Sequence, residues 1–416
     1  MMLGEALLLA RMWKDQWKSE EELQDLSEQK LLSLIKHAKA TVPFYKRTLS
    51  SVPVRSIQDL QDIGLVKRSD IQADADSFIS AIFDRPALHL EHTSGSSGVP
   101  LATYTSRKDR DYFGASEVCH ALGCGASPFD NQAKITHYQI TPHPLQRLGI
   151  LSCDYLPVLD DEAALLGKLE RIRPKILKAY PSVLLAIARL NSSKGLGLSF
   201  RMILPMGETL SQSVRKEVSE SFGCPIYDRY GTTEASWVAM ECTEGSLHLQ
   251  DGYVHTEIVD DHGQPVRRGA VGRIVVTPLW RSAMPLIRYC QGDIGAIGGP
   301  CRCGRGQRTL RMLRGREDDR ITLPSGKVRS ARSINYLDDI KVGGYQIIQE
   351  RDDLFVFRYV APEPMDVKEE ARVRNMIRAG CLGEVVAVEF EKVDSLPRGR
   401  TGKLRTIISK VKPDGK

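Results

Sequence analysis

The sequence has no long apolar run and little excess of charge of either sign. No stretch of its 416 residues approaches the ~20 consecutive apolar residues that span a bilayer, so no membrane partner is predicted. The 58 basic residues exceed the 52 acidic ones by only six, an excess too small to argue for a nucleic-acid partner. A composition of 42% hydrophobic and 26% charged residues is typical of ordinary globular proteins.

Marks of secretion are also lacking. The segment 1–13, "MMLGEALLLARMW", has no basic start and no convincing cleavage site, and it predicts an amphipathic helix that docks on the fold. Nine cysteines are an odd number in a long chain, unlike a secreted disulfide scaffold. We therefore expect a cytoplasmic protein, with two or three domains at about 150 residues each.

The order of predicted elements indicates an α/β fold. Residues 20–50 have helical apolar spacing up to Pro43. Between 163 and 230, helical stripes alternate with short apolar strands, including "KILKAY", "FRMILPM" and "PIYDRYG". In that segment Ser182 is a plausible N-cap for "SVLLAIARL", and Gly223 is the expected C-terminal stop of the next helix. Such alternation is typical of a mostly parallel sheet, which collects ligands at the carboxyl ends of its strands.

The second half of the sequence predicts antiparallel strands in place of the strand–helix alternation. "LHLQDGYVHTEIV" predicts a hairpin that turns at Asp251-Gly252, and "GRIVVTPL" and "MPLIRY" predict further strands of an antiparallel subdomain. From about residue 316, short strands flank a helix near 367–379, which predicts a small α+β unit. We therefore expect a large N-terminal domain over 1–315, with mixed sheets, flanking helices and the antiparallel subdomain. A small, mobile C-terminal domain is expected over 316–416.

A Gly- and hydroxyl-rich loop is the first candidate for chemistry. In "EHTSGSSGVP", residues 91–100, backbone N–H groups and hydroxyls are able to approach phosphate oxygens closely. The loop is not a Walker A motif, because Val99-Pro100 follows Gly98 where Lys-Ser/Thr would stand. Taken alone, an ordinary flexible connection remains the simpler interpretation.

Four further segments carry polar groups of the right kind for nucleotide chemistry. They are "YDRYGTTEAS" (227–236), "RYCQGDIG" (288–295), "LRGREDDRITLPSGK" (313–327) and "LPRGRTGKLRT" (396–406). Tyr230 offers an aromatic face to a base, Glu234 a hard oxygen ligand to a divalent cation, and Asp293 an acceptor for ribose hydroxyls. Each segment alone is also compatible with a capped turn, a solvated charge cluster or a basic tail.

Together and in this order, the five segments resemble the motifs of the adenylate-forming superfamily of acyl-CoA synthetases, luciferases and adenylation domains. "TSGSSGVP" is similar to its phosphate loop, "YGTTE" to its Tyr-Gly-x-x-Glu motif and "GD" to its ribose turn. "GREDDRI" is similar to its hinge, and "PRGRTGK" to its C-terminal lysine loop. The N-terminal "LLSLIKHAKATVPFYKR" and the "CRCGR" at 301–305 resemble the short phenylacetate–CoA ligase branch. One departure is that Leu101-Ala102 follow Pro100 where the superfamily often has a lysine.

The resemblance implies ATP, Mg²⁺ and CoA as cofactors, and it implies a role for each matching residue. The phosphate loop would comprise Thr93, Ser94, Gly95, Ser96, Ser97 and Gly98. The rest of the implied nucleotide site comprises Gly207, Glu208, Asp228, Arg229, Tyr230, Gly231, Thr232, Asp293 and Arg316. Thr233 would contact the α-phosphate region, Glu234 would hold Mg²⁺, and Lys403 would reach the reacting carboxylate and α-phosphate. Asp318 matches the hinge.

The implied reaction converts an organic acid to an acyl-adenylate and then to a thioester of CoA, releasing pyrophosphate and AMP. Tyr138, Tyr180 and Ser182 lie where the acyl pocket is expected and favour an aryl or arylacetic acid. An alternative keeps the adenylation but transfers the acyl group to an amine or a carrier protein, and a homodimer is compatible with either. A third alternative is a catalytically inactive binding protein, against which the joint presence of Glu234, Asp293, Arg316 and Lys403 argues.

A set of soft ligands predicts a structural metal site. Cys242 and His248 flank one predicted turn, and Cys301 and Cys303 lie at another about 50 residues later. Two such pairs suit a tetrahedral Zn²⁺, as the resemblance also implies, although unrelated thiols in a small β subdomain would leave the same pattern. Cys290 is a weaker substitute ligand. The other cysteines are expected to be small buried hydrophobes: Cys119, Cys124, Cys153, Cys224 and Cys381.

Overall fold

A computed structural model of the protein describes residues 3–92, 101–136, 146, 149–316, 320–330, 334, 342, 344–397, 404 and 407–411. Contacts divide the chain into two compact units, and each is discontinuous in sequence. The first unit comprises residues 1–129, 143–148 and 227–313, and the second comprises residues 130–142, 149–226 and 314–416. The predicted mixed α/β architecture is confirmed.

The α-helices among these residues are α1 Leu3–Asp15, α2 Glu20–Thr41, α3 Pro43–Thr48, α4 Arg68–Ala73, α5 Arg107–Gly123, α6 Glu162–Ile172, α7 Pro181–Lys194, α8 Gln212–Phe222 and α9 Val367–Gly380. The first seven strands are β1 Val66–Lys67, β2 His89–His92, β3 Ala102–Thr105, β4 Gln132–Thr136, β5 Cys153–Pro157, β6 Ile176–Ala179 and β7 Met202–Pro205. The next seven are β8 Arg229–Thr232, β9 Ser236–Glu241, β10 Leu247–Leu249, β11 Val254–Val259, β12 Gly272–Pro278, β13 Tyr289–Ile297 and β14 Leu310–Arg316. The last six are β15 Arg320–Thr322, β16 Val328–Ser330, β17 Gly344–Arg351, β18 Leu354–Val360, β19 Ala387–Lys392 and β20 Ile407–Ser409.

The first unit contains a five-stranded sheet in the order β1-β13-β12-β11, with β14 also paired to β13. Strand β12 pairs antiparallel with both β11 and β13, whereas β1 and β13 are parallel. A three-stranded sheet β10-β9-β8 and the hairpin β2-β3 complete its strands. One apolar core joins α1, α2 and α5 to these sheets.

The second unit contains the parallel sheet β5-β4-β6-β7. Strands β4, β6 and β7 are buried along their whole length, as expected for a parallel sheet with covered faces. The same unit holds the four-stranded sheet β19-β18-β17-β20, against which α9 packs around a separate apolar core. The α+β organisation predicted for the C-terminal segment is therefore confirmed.

Local sequence signals explain where several helices begin and end. Ser19 caps α2, since its hydroxyl accepts the backbone N–H of Glu22 at 3.1 Å while the Glu22 carboxylate accepts the Ser19 N–H at 2.8 Å. Pro43 ends the pattern of α2 as predicted and occupies the first position of α3, where a missing N–H costs nothing. Gly223 ends α8 in the left-handed conformation, with φ of 60°. The predicted N-terminal helix is also confirmed as α1. None of the helices described is long and apolar enough to cross a bilayer.

Four local predictions were wrong. Ser182 is not the N-cap of α7, because Pro181 takes the first helical position and Tyr180 precedes it. Asp251-Gly252 forms a turn, but β10 pairs with β9 and β11 with β12, so the two strands are not a hairpin. The segment "PIYDRYG" was predicted as the next strand of the parallel sheet. Instead, Ile226 forms one isolated parallel bridge with Ile203 of β7, and β8 pairs antiparallel with β9.

The fourth wrong prediction is the strand "MPLIRY". Its strand begins only at Tyr289, because side chains satisfy the preceding backbone in place of a neighbouring strand. The Tyr45 hydroxyl accepts the N–H of Ile287 at 2.8 Å and donates to the carbonyl of Pro285 at 3.2 Å. Arg288 has a positive φ of 54° and its N–H is bound by the Thr277 hydroxyl.

Candidate active site and metal centre

Some of the predicted site residues lie outside the described residues. They are Thr93, Ser94, Gly95, Ser96, Ser97 and Gly98 of the phosphate loop, Tyr138, the hinge residue Asp318 and Lys403. Arg316 ends strand β14. The remaining predicted residues are distributed between the two units.

The carboxylate of Glu234 is held inside the first unit. It lies in the turn between β8 and β9 and is only 6% exposed. The Tyr289 hydroxyl donates to its Oε1 at 3.0 Å, and Nη1 of Arg68 lies 3.5 Å from the same oxygen. Both of these contacts fall on Oε1.

A buried arginine fixes the backbone of the same turn. The guanidinium of Arg281, which is fully buried, donates to the carbonyls of Glu234 at 3.0 Å, Met284 at 3.0 Å and Tyr104 at 2.9 Å. Burial lowers the pKa of Arg281, while the negative charge of Asp109 opposes that change. This arginine therefore joins three segments of backbone, one of which carries Glu234.

Tyr230 and Asp293 are in direct contact. The Tyr230 hydroxyl donates to Oδ2 of Asp293 at 2.8 Å, which links strand β8 to strand β13. The register of β13 against β12 is irregular at this point, and Gly292 has φ of 78°, a conformation that favours glycine. Such irregularities commonly redirect one side chain of a strand. Asp293 and Tyr230 are thereby brought together, as a shared nucleotide site would require.

The segment between Tyr230 and Glu234 needs a glycine. A Cβ on Gly231 would stand 2.2 Å from the carbonyl oxygen of Ser236 on the paired strand, so only glycine permits this approach. The Thr232 hydroxyl accepts the N–H of Ala235 at 3.1 Å and so closes the turn. Thr233 is partly exposed beside it. Thr232 acts on the turn itself, and Thr233 is the hydroxyl left to face a ligand.

The two residues before Tyr230 are anchored in the first unit. The N–H of Asp228 donates to the Glu241 carboxylate at 2.5 Å. The Arg229 guanidinium is fully buried, lies 3.2 Å from Glu117 and sits 4.1 Å over the ring of Trp237. Its charge is therefore neutralised within the unit, and any contact of Arg229 with a nucleotide would come from its backbone.

In the second unit, Glu208 joins two segments of the chain. Its carboxylate accepts the backbone N–H and the hydroxyl of Ser182 at 2.9 and 3.0 Å, and the N–H of Leu404 at 2.8 Å. Leu404 directly follows Lys403 in sequence. Gly207, with φ of 73°, turns the backbone just before Glu208. Tyr180 is buried at the start of α7.

The predicted metal ligands converge. The ligand atoms of Cys242, His248, Cys301 and Cys303 all lie within 4.8 Å of one another. The sulfurs of Cys242 and Cys301 are 3.6 Å apart, and Sγ of Cys303 is 3.3 Å from Nε2 of His248. Tetrahedral Zn²⁺ with bonds of about 2.3 Å to sulfur and about 2.0 Å to nitrogen gives separations of roughly 3.8 and 3.5 Å. The donor set and spacing fit that ion.

Two strands and a loop hold these ligands. Cys242 follows β9 and His248 lies opposite Met240 on the paired β10, while the two later cysteines lie in the loop after β13. The Nδ1 atom of His248 is 3.2 Å from the carbonyl oxygen of Gln307, which directs Nε2 at the thiols. Burial lowers the pKa of His248, and this favours the neutral imidazole that binds metals.

A cation and a helix terminus lie next to this cluster. Arg305 donates to the Gln16 side chain at 2.8 Å and to the carbonyl of Gly123 at 3.4 Å, and it sits 5.1 Å over the ring of Trp17. A positive charge here offsets the net negative charge that three thiolates and Zn²⁺ would carry. The end of α1 and the end of α5 are thus tied to the loop that carries Cys301 and Cys303.

Of the remaining cysteines, Cys119, Cys124, Cys224 and Cys381 are buried as predicted, whereas Cys153 is partly exposed at the start of β5. Sequence reasoning missed Arg68, Tyr289 and Arg281, which hold the Glu234 turn. A basic residue in "LVKRSD", just after a short apolar segment, carries no local signal of a partner 166 positions later. Only pairing of β1 with β13 brings Arg68 near Glu234.

Comparison with known proteins gives matches along most of the chain. The profile of the family described as AMP-binding enzyme matches residues 150–278, and that described as CapK C-terminal domain matches residues 322–410. The phenylacetate-coenzyme A ligase of Thermus thermophilus is 27% identical, covering 93% of this chain and 96% of its own length. Protein CapK of Staphylococcus aureus is 22% identical, covering 94% of this chain and 90% of its own.

A solved structure shares the fold. The 2-hydroxyisobutyryl-CoA ligase in its postadenylation state superposes with a TM-score of 0.77 at 20% identity, covering 95% of this chain and 91% of that one. The profile match over 150–278 contains both "GETL" and "YGTTE", where the predicted motifs lie. The matched profile is that of AMP-binding enzymes and the relatives include phenylacetate-coenzyme A ligases, as the resemblance of the five motifs predicted.

Proposed function

We propose that this protein is an ATP-dependent, AMP-forming acid–thiol ligase that activates an aryl or arylacetic acid and transfers it to CoA. The observation that carries the proposal is that Glu234 and Tyr230 each hydrogen-bond to a residue of strand β13, Glu234 to Tyr289 and Tyr230 to Asp293. These residues supply a carboxylate for a cation, an aromatic ring and an acceptor for ribose hydroxyls in one unit. The relatives named as CoA ligases support the same reaction.

The reaction has two steps. In the first, an oxygen of the substrate carboxylate attacks the α-phosphorus of ATP, the bond from that phosphorus to the bridging oxygen breaks, and pyrophosphate leaves. In the second, the CoA thiol loses its proton and attacks the acyl carbon, and AMP leaves with the bonding electrons of the acyl–oxygen bond. Two anions meet in the first step, so positioning and charge neutralisation dominate catalysis.

In this proposal each residue has a role in positioning or charge. Asp293 and Arg316 are each assigned to the ribose hydroxyls, and Tyr230, Gly207 and Glu208 are each assigned to the adenine. Mg²⁺, which Glu234 would hold, offsets phosphate charge when it is bound. The phosphate loop 93–98 cradles the β- and γ-phosphates, and the ammonium of Lys403 neutralises charge that builds between the carboxylate and the α-phosphate. Thr233 contacts the α-phosphate, and Tyr138, Tyr180 and Ser182 contribute to the acyl pocket.

The test is a pyrophosphate-release screen over a panel of carboxylic acids, run with and without CoA. We expect an aryl or arylacetic acid to release pyrophosphate, and CoA to consume the adenylate formed. Lys403→Ala should abolish adenylation while sparing thiolation of a synthetic acyl-adenylate. No release with any acid would contradict the proposal. If an amine or a carrier protein consumes the adenylate and CoA does not, adenylation stands and the acceptor is wrong.

We further propose that the domain boundary lies at 315/316 and that Asp318 acts as the hinge on which residues 316–416 rotate between the two steps. A hinge requires only one or two residues that absorb a change of φ and ψ. Limited proteolysis tests this: cleavage near Asp318 should change when a non-hydrolysable acyl-adenylate analogue is added. Unchanged cleavage would contradict the hinge. The cytoplasm, where ATP and CoA are available, is the proposed compartment.

A structural Zn²⁺ is the second proposal for this chain. Cys242, His248, Cys301 and Cys303 provide four protein ligands, and a site with no open position stabilises the fold rather than performing chemistry. The separations of 3.6 and 3.3 Å within the cluster support this assignment. Ions that prefer oxygen ligands do not suit three thiolates and an imidazole.

Metal analysis of protein purified without chelators tests the zinc proposal. We expect about one equivalent of zinc, its loss in Cys301→Ser and a lower Tm for that variant. Cys153→Ser is the matched control, because this partly exposed thiol lies in the other unit and its loss should change neither quantity. Less than about half an equivalent in the wild type would contradict the proposal.

A further inference from the structure

Arg68 lies close to the oxygen ligand of the proposed cation. It is the first residue of α4, directly after β1, and Nη1 of its guanidinium is 3.5 Å from Oε1 of Glu234. Its side chain is 18% exposed, so it reaches solvent. At this distance the ion pair is longer than a charge-assisted hydrogen bond of about 2.8 Å.

The other arginine of this region cannot serve the same purpose. Arg281 is fully buried and its guanidinium donates to three backbone carbonyls. Moving it would leave those buried carbonyls without their donor, which is unfavourable in a buried site. Arg68 is thus the accessible guanidinium beside Glu234, and Arg281 is part of the framework.

The polyphosphate of ATP needs a cation at this position. The sequence places Leu101-Ala102 after Pro100, where the superfamily often has a lysine, so the phosphate loop brings no basic side chain of its own. Glu234 would hold Mg²⁺, which would supply part of the neutralisation of phosphate charge. The Arg68 guanidinium lies 3.5 Å from the same carboxylate, so it would be the protein's own cation near phosphates that such an ion binds.

We propose that Arg68 is a polyphosphate-binding residue of this ligase. Without nucleotide, the Arg68 guanidinium pairs with Glu234 and neutralises the negative charge of its carboxylate. When ATP binds with its cation, Arg68 turns to the β- and γ-phosphates, where its planar fork of donors matches two phosphate oxygens. The inference rests on the adenylation reaction proposed above.

Kinetics of the two half-reactions test it. For Arg68→Gln we expect the KM for ATP in acid-dependent pyrophosphate exchange to rise by about tenfold to hundredfold, the range for loss of hydrogen bonds to a charged group. Thiolation of a synthetic acyl-adenylate should be unchanged, because that substrate has no β- or γ-phosphate. Arg68→Lys keeps the charge but not the fork and should recover part of the loss. Arg273→Gln is the matched control, since Arg273 is 22% exposed and pairs with Asp261 in the same unit.

The outcomes separate this inference from the proposed function. Absence of exchange in the wild type would overturn both. Exchange in the wild type with an unchanged KM for ATP in Arg68→Gln would overturn the Arg68 assignment alone, and so would equal losses in both half-reactions. If Arg68→Gln does not fold, Arg68→Lys carries the test with the same readouts.

Discussion

Glu234 in the first unit and Glu208 in the second are held by different kinds of partner. Glu234 is 6% exposed, and side chains from β13 and α4 contact its carboxylate. Glu208 is partly exposed, and backbone N–H groups of Ser182 and Leu404 bind it. The first arrangement is fixed by the packing of the unit around it. In the second, two donors of Ser182 and one amide of the C-terminal segment bind the carboxylate, so only the Leu404 contact would be lost if that segment moved as proposed.

The largest expected effect comes from removing the charge of the fixed carboxylate. Glu234→Gln keeps the shape of the side chain but not its affinity for a hard cation. We expect pyrophosphate exchange to fall by about 10²–10³, as for the loss of one electrostatic catalytic contact. Thiolation of a synthetic acyl-adenylate should fall much less. Glu217→Gln, at a surface pair with Arg189, should leave both rates unchanged.

The next effect tests how rigid the first arrangement is. In Gly231→Ala the new methyl group would stand 2.2 Å from the Ser236 carbonyl oxygen. We expect the free energy of unfolding to fall by about 3 kcal/mol, at the upper end for overpacking, measured by urea denaturation. Gly167→Ala is the control, because no atom lies within 4 Å of its Cβ position on helix α6 and alanine favours helices. If Gly231→Ala is as stable as the wild type, the backbone of the turn can move to accommodate the methyl group.

Burial in the first unit should also make stability depend on pH. Burial, with the positive charges of Arg308 and Arg288, lowers the pKa of His255 to about 3, against about 6.5 when unfolded. Between these values the unfolded state binds the extra proton, so stability rises with pH. From pH 7 to pH 5 we expect a loss of about 2 kcal/mol from this group.

Denaturation curves at the two pH values measure that loss. His255→Gln should reduce the difference between the two curves, although the variant itself will be less stable because its hydrogen bond with Ser27 changes. A pH dependence identical to that of the wild type would show that other groups carry it.

The smallest effect is expected at the releasable carboxylate. Glu208→Ala removes the acceptor for the Leu404 amide, beside the lysine loop. We expect adenylation to fall about tenfold, which corresponds to about 1.4 kcal/mol for one hydrogen bond to a charged group, and thiolation to be spared. Ser182→Ala separates the two anchors, because it removes one hydroxyl bond to Glu208 and leaves the Leu404 contact. If Ser182→Ala lowers adenylation as much as Glu208→Ala does, Glu208 acts by holding α7 and not by holding the C-terminal segment.

Sequence patterns predicted the parts of the fold that local chemistry determines. The helices α2 and α8 begin and end at their capping residues and at Pro43 and Gly223. The buried strands β6 and β7 follow from their apolar runs. The convergence of the four candidate metal ligands was predictable because cysteine and histidine pairs on turns are uncommon.

Contacts between distant segments could not be predicted in this way. The partner of β10 is β9 and not β11, and alternation of apolar residues is the same in both cases. The Tyr45 hydroxyl replaces a strand partner for residues near Ile287, which no local pattern encodes. Arg68 and Tyr289 reach Glu234 only through the parallel pairing of β1 with β13, a pairing set by tertiary structure.

The discontinuity of the first unit imposes an order on its folding during synthesis. Its residues 1–129 are completed by residues 227–313, so contacts such as Tyr45 with Pro285 and Asp15 with Tyr253 form only after the later segment leaves the ribosome. The intervening parallel sheet is made of strands close in sequence and requires no such delay. The N-terminal helices must therefore wait for their partners while the 184 residues from 130 to 313 are added. At about 5–20 residues per second, that interval lasts roughly 10–40 s, during which their apolar faces lack part of their final cover and favour aggregation.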